Sequence, residues 1–259
     1  MDKVWLNGAL LPAAEARIDP ADRGLLLGDG LFETMAAAEG EVPDLVRHYA
    51  RLTKGAALLR IPVPLSLPAL ESATRALLAA NEMQGAALRL TLTRGPGPRG
   101  LLPPEPPAPT ILITIAPLPQ LLGPLRLITA TIRRDESSPL SALKTLNYLP
   151  GVLARIEAAE RGADDALLLN SQGYVAETSA ANLFVRLEGA WFTPPVTDGA
   201  LPGIRRGKLL VAGRVREARL TPAQLFQAEA IFAGNALLLR PVAAIDGRPI
   251  PQTNPDELS

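Results

Sequence analysis

Four of the 26 basic residues are lysines (Lys3, Lys54, Lys144 and Lys208) and the other 22 are arginines, so each amine can be questioned singly. Lys144 stands apart. It lies in Ser138-Pro139-Leu140-Ser141-Ala142-Leu143-Lys144-Thr145-Leu146-Asn147-Tyr148-Leu149, a largely apolar setting just ahead of an expected helix. Desolvation and the positive end of that helix both disfavour an ammonium, which suits an amine acting as nucleophile and base. Such an amine condenses with carbonyl compounds. Glu177, in Tyr174-Val175-Ala176-Glu177-Thr178-Ser179, is a carboxylate of the kind that keeps a basic ring nitrogen protonated. Judged singly, the blander readings are the stronger ones: a lysine snorkelling at a helix start and a glutamate capping a turn.

Residue types exclude other chemistries. The chain has no cysteine, which removes disulfides, thiolate catalysis and cysteine-ligated metals. His48 is the lone histidine, so one chain cannot build a histidine-rich metal site, and no metal is expected. Gly95-Pro96-Gly97-Pro98-Arg99-Gly100 matches G-x-G-x-x-G after a strand, but its prolines remove donors, and Leu101-Leu102-Pro103-Pro104 cannot start the helix a dinucleotide site needs. It reads instead as a substrate-facing loop. The formal charge is zero, so neither nucleic acid nor an anionic membrane is an expected partner. Hydrophobic residues at 47% and charged residues at 20% suit a globular chain. Met1-Asp2-Lys3-Val4-Trp5 lacks the basic start and apolar run of a signal peptide, and no apolar run approaches the roughly 20 residues that span a bilayer. A cytoplasmic enzyme is the expected class.

The elements that must position these groups follow from periodicity. Val4 to Leu11 reads as a hairpin turning at Asn7-Gly8. Gly28-Asp29-Gly30 turns into a strand through Thr34. Helices are expected at 45–59, where Leu45, Leu52, Ala56 and Leu59 share a face, and at 68–81. Strands fit 87–93 and 110–116, with a long glycine- and proline-rich loop, 95–109, between them. Pro117 to Pro124 is the candidate linker. The second half opens on a strand at 125–132 and a helix at 149–161. Strands follow at 166–170, 174–177, 182–187 and 190–193, then helices at 203–212 and 221–227, and strands at 228–233 and 238–245. The expected domains are 1–116, small and α+β, and 125–259, large, joined by 117–124.

Three segments in order carry a specific pattern: Lys144-Thr145-Leu146-Asn147-Tyr148-Leu149, Glu177-Thr178-Ser179-Ala180-Ala181-Asn182-Leu183-Phe184, and Leu201-Pro202-Gly203-Ile204-Arg205. Together they resemble the signature of the class IV aminotransferase family, the fold-type IV pyridoxal-phosphate enzymes. That group includes branched-chain and D-amino-acid aminotransferases, R-selective amine transaminases and aminodeoxychorismate lyases. Gly28-Asp29-Gly30-Leu31-Phe32-Glu33, His48-Tyr49-Ala50-Arg51-Leu52, and Thr93-Arg94-Gly95 through Arg99-Gly100 extend the resemblance over nearly the whole chain.

The resemblance implies two α/β (α+β) domains, a smaller N-terminal and a larger C-terminal one, with pyridoxal 5′-phosphate between them and mainly on the second. It implies a homodimer in which the 95–109 loop reaches the partner's pocket. It implies that Lys144 forms the Schiff base and shuttles the proton, and that Glu177 pairs with the pyridine nitrogen. Arg51 would clamp the phosphate, aided by backbone N–H groups of Ile204, Arg205 and Asn235. Leu201 would pack on the ring, and Tyr148 would hydrogen-bond its phenolic oxygen. Arg205 replaces a threonine common in relatives, so only the backbone contact carries over there. His48 is expected to anchor the helix presenting Arg51, while Glu33 is open between structure and site. Substrate contacts are expected from Phe32, Thr34, Arg99 and Ala236. Phe32 and Leu101 replace the tyrosine and histidine of D-amino-acid enzymes. Thr34 and Asn235-Ala236-Leu237 look like the lyases, whereas Tyr148 matches the transaminases. The expected reaction is amino-group transfer between an amino acid or primary amine and a keto acid. The alternative is aminodeoxychorismate lyase, eliminating pyruvate to give 4-aminobenzoate.

Overall fold

Asn7 and Gly8 take positive φ values of 48° and 98°, turning β1 (Lys3–Leu6) back antiparallel onto β2 (Ala9–Pro12). In this computed structural model, which describes residues 2–120 and 123–258, the hairpin forms one side of an antiparallel sheet. The sheet continues through β3 (Gly30–Ala37), β4 (Ala86–Thr93) and β5 (Thr110–Ala116) in the order β2-β1-β5-β4-β3. Strand alternation sends Leu88, Leu90 and Leu92 of β4, and Ile111, Ile113 and Ile115 of β5, into the core. Between β3 and β4 the chain forms helices α2 (Leu45–Leu59) and α3 (Leu67–Ala80). The buried positions of α2, Leu45, His48, Leu52, Gly55 and Ala56, recur every three or four residues and face β3. Ser66 caps α3 by accepting from the Ala69 N–H.

The helix α1 (Arg23–Leu27) carries no periodic signal because it is one turn and a half. Asp22 caps its start, and Gly28 ends it at φ 65°. As expected, residues 95–109 form no strand or helix.

The second half builds a nine-stranded sheet around α4 (Leu149–Glu160), α5 (Ile204–Val211) and α6 (Pro222–Leu225). Its strands are β6 (Leu125–Thr129), β7 (Asp165–Leu169), β8 (Val175–Thr178), β9 (Asn182–Leu187), β10 (Ala190–Thr193), β11 (Arg216–Glu217), β12 (Ala230–Gly234), β13 (Leu239–Ile245) and β14 (Arg248–Pro249). They run β11-β10-β9-β12-β13-β6-β7-β8, with β14 beside β13. β6 pairs in parallel with both β7 and β13. Every residue of β7 is buried, as a strand covered on both faces requires. Thr221 and Gln224 form a reciprocal capping box at α6. The fold is mixed α/β.

Two compact units divide the chain: Met1–Pro119 with Lys144–Asn147, and Gln120–Leu143 with Tyr148–Ser259. Leu121 and Leu122 of the expected linker lie outside the described residues. The short segment Lys144–Asn147 goes with the first unit because its backbone pairs with β3, as described next.

Candidate active site

In the first unit β3 supplies two chemically different faces. Leu31, Glu33, Met35 and Ala37 are buried on one. Phe32 and Thr34 project from the other, as strand alternation demands. The lysine segment docks along the outer side of this strand. The Phe32 N–H donates to the Lys144 carbonyl (2.9 Å), the Leu146 N–H donates to the Gly30 carbonyl (3.0 Å), and Leu31 bridges Thr145. Asn147 Nδ2 adds a bond to the Gly28 carbonyl at 3.3 Å. The Lys144 amine is thereby held with Nζ 4.2 Å from the centroid of the Phe32 ring, a cation–π distance. Lys144 itself is half-buried. It does not sit in the first turn of a helix: the chain is extended there, between a 3₁₀ turn at Pro139–Ala142 and α4.

On the opposite face Glu33 is the centre of a buried cluster. Its Oε2 pairs with His48 Nδ1 (2.7 Å) and accepts from Arg51 Nη2 (2.5 Å), and its Oε1 accepts from Arg51 Nε (2.8 Å). Burial alone would raise the Glu33 pKa, but hydrogen bonds and charge from Arg51 and His48 more than offset it, and the net shift is downward. The open question over Glu33 thus resolves toward structure. It fixes the guanidinium of Arg51, and His48, three residues earlier on α2, shares the same carboxylate.

A second cluster ties down the 95–109 loop. Asp29 accepts from Arg23 Nε (2.9 Å) and from Arg94 Nε and Nη2 (2.7 and 3.1 Å). Its burial raises the pKa, and the two guanidiniums lower it further than burial lifts it. Arg23 then reaches the Gly100 and Leu101 carbonyls, both at 2.9 Å, so the exposed Arg99 stands on an anchored turn. Sequence inspection misses Arg23 because nothing distinguishes it among 22 arginines, and it quotes Arg94 within Thr93-Arg94-Gly95 without assigning it a role. It also misses Arg89 on β4, whose guanidinium lies 3.8 Å from the Phe32 centroid. The available signal was its position: Arg89 pairs in register with Thr34 on a strand whose other face is apolar.

In the second unit Glu177 lies on β8 and is buried. Its Oε2 accepts from the Leu201 N–H (3.0 Å), and its Oε1 lies 3.1 Å from Arg134 Nε. It is not a turn cap. The Leu201 carbonyl accepts from Asn182 Nδ2 at 2.9 Å, which joins two of the expected segments, those of Glu177 and Leu201, within the second unit. Tyr148 is the N-cap residue of α4. Ile204 and Arg205 open α5, whose N-cap Gly203 offers no side chain to the first-turn N–H groups, and that leaves the site an anion seeks. The Arg205 side chain donates through Nε to the Asn235 carbonyl at 2.9 Å. One expectation is corrected here. The backbone N–H of Asn235 already donates to the Leu238 carbonyl (2.9 Å), and its Oδ1 accepts from the N–H groups of Leu237 and Leu238. Asn235 therefore shapes the turn that carries the half-buried Ala236 rather than offering its own N–H to a phosphate.

The first unit thus supplies an amine fixed by a backbone pairing, and the second supplies a buried carboxylate with defined partners and an uncapped helix start; each is a kind of group that a pyridine aldehyde phosphate requires. Among the described residues, no group of three or more His, Cys, Asp and Glu could hold a metal, and no helix is long and apolar enough to cross a membrane.

The family model for amino-transferase class IV matches residues 30–245. The chain belongs to this family. It is 38% identical over 257 residues to a Methanocaldococcus jannaschii protein provisionally described as a branched-chain-amino-acid aminotransferase, covering 96% of this chain and 89% of that one. A T.th. branched-chain amino acid aminotransferase, solved as a complex with N-(5′-phosphopyridoxyl)-L-glutamate, superposes with a TM-score of 0.91 at 29% identity, covering 99% of this chain and 90% of that one. A Legionella pneumophila structure provisionally described as 4-amino-4-deoxychorismate lyase superposes with a TM-score of 0.88 at 30% identity, covering 95% and 94%. The protein is accordingly an enzyme of amino-group transfer that depends on pyridoxal phosphate.

Proposed function

We propose that the enzyme moves the amino group of an amino acid to a keto acid on a cofactor carried by Lys144. The observation that carries this reading is the pinning of the backbone to β3 at the Lys144 carbonyl and at the Leu146 N–H just beyond it, with Nζ over Phe32. Bound pyridoxal phosphate supplies a pyridinium ring that accepts the electron pair released at a substrate carbon. The chain does the rest. The Lys144 amine moves the proton at the substrate Cα. Glu177, ionised, holds the proton on the ring nitrogen. Leu201 packs against the ring, and the Tyr148 hydroxyl orients its phenolic oxygen. First-turn N–H groups of Ile204 and Arg205 bind the phosphate, and Asn235 organises the adjoining turn. Arg51, whose guanidinium Glu33 holds through Nε and Nη2, adds positive charge for the phosphate. Phe32, Thr34, Arg99 and Ala236 bound the substrate.

The proposed domains are 1–116 and 125–259, joined by 117–124. The proposed assembly is a homodimer, a reading supported by the outer face of α4. Leu149, Val152, Leu153 and Ile156 recur at helical spacing there with exposures of 72, 49, 55 and 48%, an apolar stripe of the kind that marks an interaction surface. The proposed compartment is the cytoplasm, which holds the amino acids and keto acids consumed.

The test is reductive trapping. Borohydride added with pyridoxal phosphate is expected to label one peptide, at Lys144. An amino acid alone is expected to convert the bound cofactor to its amine form, and a keto acid to restore it. Labelling at another lysine would overturn the assignment. Pyruvate released from aminodeoxychorismate without any half-reaction would replace transfer with the lyase reading.

A further inference from the structure

Arg134 follows β6 and belongs to none of the motifs above, yet its guanidinium makes three contacts. Nε donates to the Gly199 carbonyl (2.9 Å) and Nη2 to the Ser141 carbonyl (2.8 Å). The same Nε stands 3.1 Å from Glu177 Oε1, with side-chain exposures of 23% and 11% for the pair. Because the single Nε–H is directed at Gly199, its contact with Glu177 is mainly one of charge. The two carbonyls fix where that charge sits. Gly199 makes room for it: φ there is 97°, and a Cβ would stand 2.8 Å from Arg134 Cγ. Glu177 therefore has one oxygen on a backbone N–H and the other beside a guanidinium. A carboxylate has about four lone-pair sites, so it can still accept a further N–H.

We propose that Arg134 is a positioning residue for the carboxylate that faces the cofactor's ring nitrogen: it keeps Glu177 ionised and aimed. This rests on the function proposed above. A cation beside a carboxylate favours its charged form, so the shared proton stays on the ring. A neutral side chain at 134 would leave Glu177 free to take that proton or to turn from the Leu201 N–H.

The experiment compares two probes on the apo-protein: pyridoxal 5′-phosphate and its 1-deaza analogue, which has carbon in place of the ring nitrogen. Arg134→Gln is expected to weaken pyridoxal-phosphate binding by about tenfold or more, as for loss of a charge-assisted hydrogen bond, and to leave the deaza affinity within about twofold. With ¹⁵N in the ring, the bound cofactor's resonance is expected to move toward the unprotonated position. Arg134→Lys, which keeps charge without the fork, is expected to recover part of the affinity for the natural cofactor, and it carries the same comparison should the glutamine variant fail to fold. Equal loss for both probes would make Arg134 a structural brace only. No loss for either, or an unmoved ¹⁵N resonance, would also overturn the proposal. Failure of the parent protein to bind pyridoxal phosphate would instead refute the function itself.

Discussion

Replacing Glu33 by glutamine isolates one charge. The Glu33 side chain is 2% exposed and that of Arg51 12%, with His48 Nδ1 on the same carboxylate. At an effective dielectric of about 20, opposite charges about 4 Å apart attract by about 4 kcal/mol. Glutamine returns some desolvation cost and keeps one oxygen, but it also turns an NH₂ toward a donor and leaves Arg51 uncompensated. Losing one partner of a buried pair costs about 3–5 kcal/mol, and the retained oxygen puts Glu33→Gln near the lower figure, about 3 kcal/mol. Urea unfolding at pH 7 reads this directly. The folded Glu33 pKa lies below its ordinary value of 4.5. Its stabilisation is therefore complete above pH 4.5 and is lost as the pH falls through the folded value. The gap between parent and variant should be flat from pH 7 to 5 and shrink on further acidification. In a cycle with Arg51→Gln, the double variant should lose less than the sum of the single losses by at least about 1 kcal/mol. A gap below about 1 kcal/mol at pH 7, or one that widens in acid, would refute the reasoning.

Two other outcomes follow from geometry. Gly95 sits at φ 83°, where an added Cβ would be 1.7 Å from the Ala108 carbonyl oxygen, so Gly95→Ala should cost at least about 2 kcal/mol in urea unfolding. Leu153→Glu places a charge in the apolar stripe of α4 and should convert the proposed dimer to monomer in sedimentation velocity while leaving circular dichroism unchanged.

Much of the fold was legible where one force dominates. Helix α2 spans Leu45–Leu59 because its apolar period is strong and uninterrupted, and β9 and β10 fall at 182–187 and 190–193 because short apolar runs end at a glycine turn. The order of the Lys144, Glu177 and Leu201 segments was also readable, since motif spacing survives without knowledge of the fold. Long-range pairing was not. Nothing local says that residues 144–147 join β3, more than a hundred positions earlier, so the sequence places Lys144 ahead of α4, as it is, without showing what holds it there. Nor does local sequence separate Arg134 from Arg133, for only tertiary structure supplies the Glu177, Gly199 and Ser141 partners. Asn235 failed for a related reason: its N–H is used within a four-residue turn that composition does not specify.

The docking of residues 144–147 has a further consequence. β3 ends its sheet, and an edge strand whose neighbouring side chains include Leu31, Phe32 and Met35 is a template for pairing with another chain. By covering the Gly30–Phe32 stretch, the lysine segment acts as a gatekeeper against misassembly. Chains that have not yet docked it expose a sticky edge. The Lys144 amine is thus carried on the same few residues that cap this edge, and substitutions at Gly30 or Asn147 should show first as aggregation during folding, before any effect on turnover is measured.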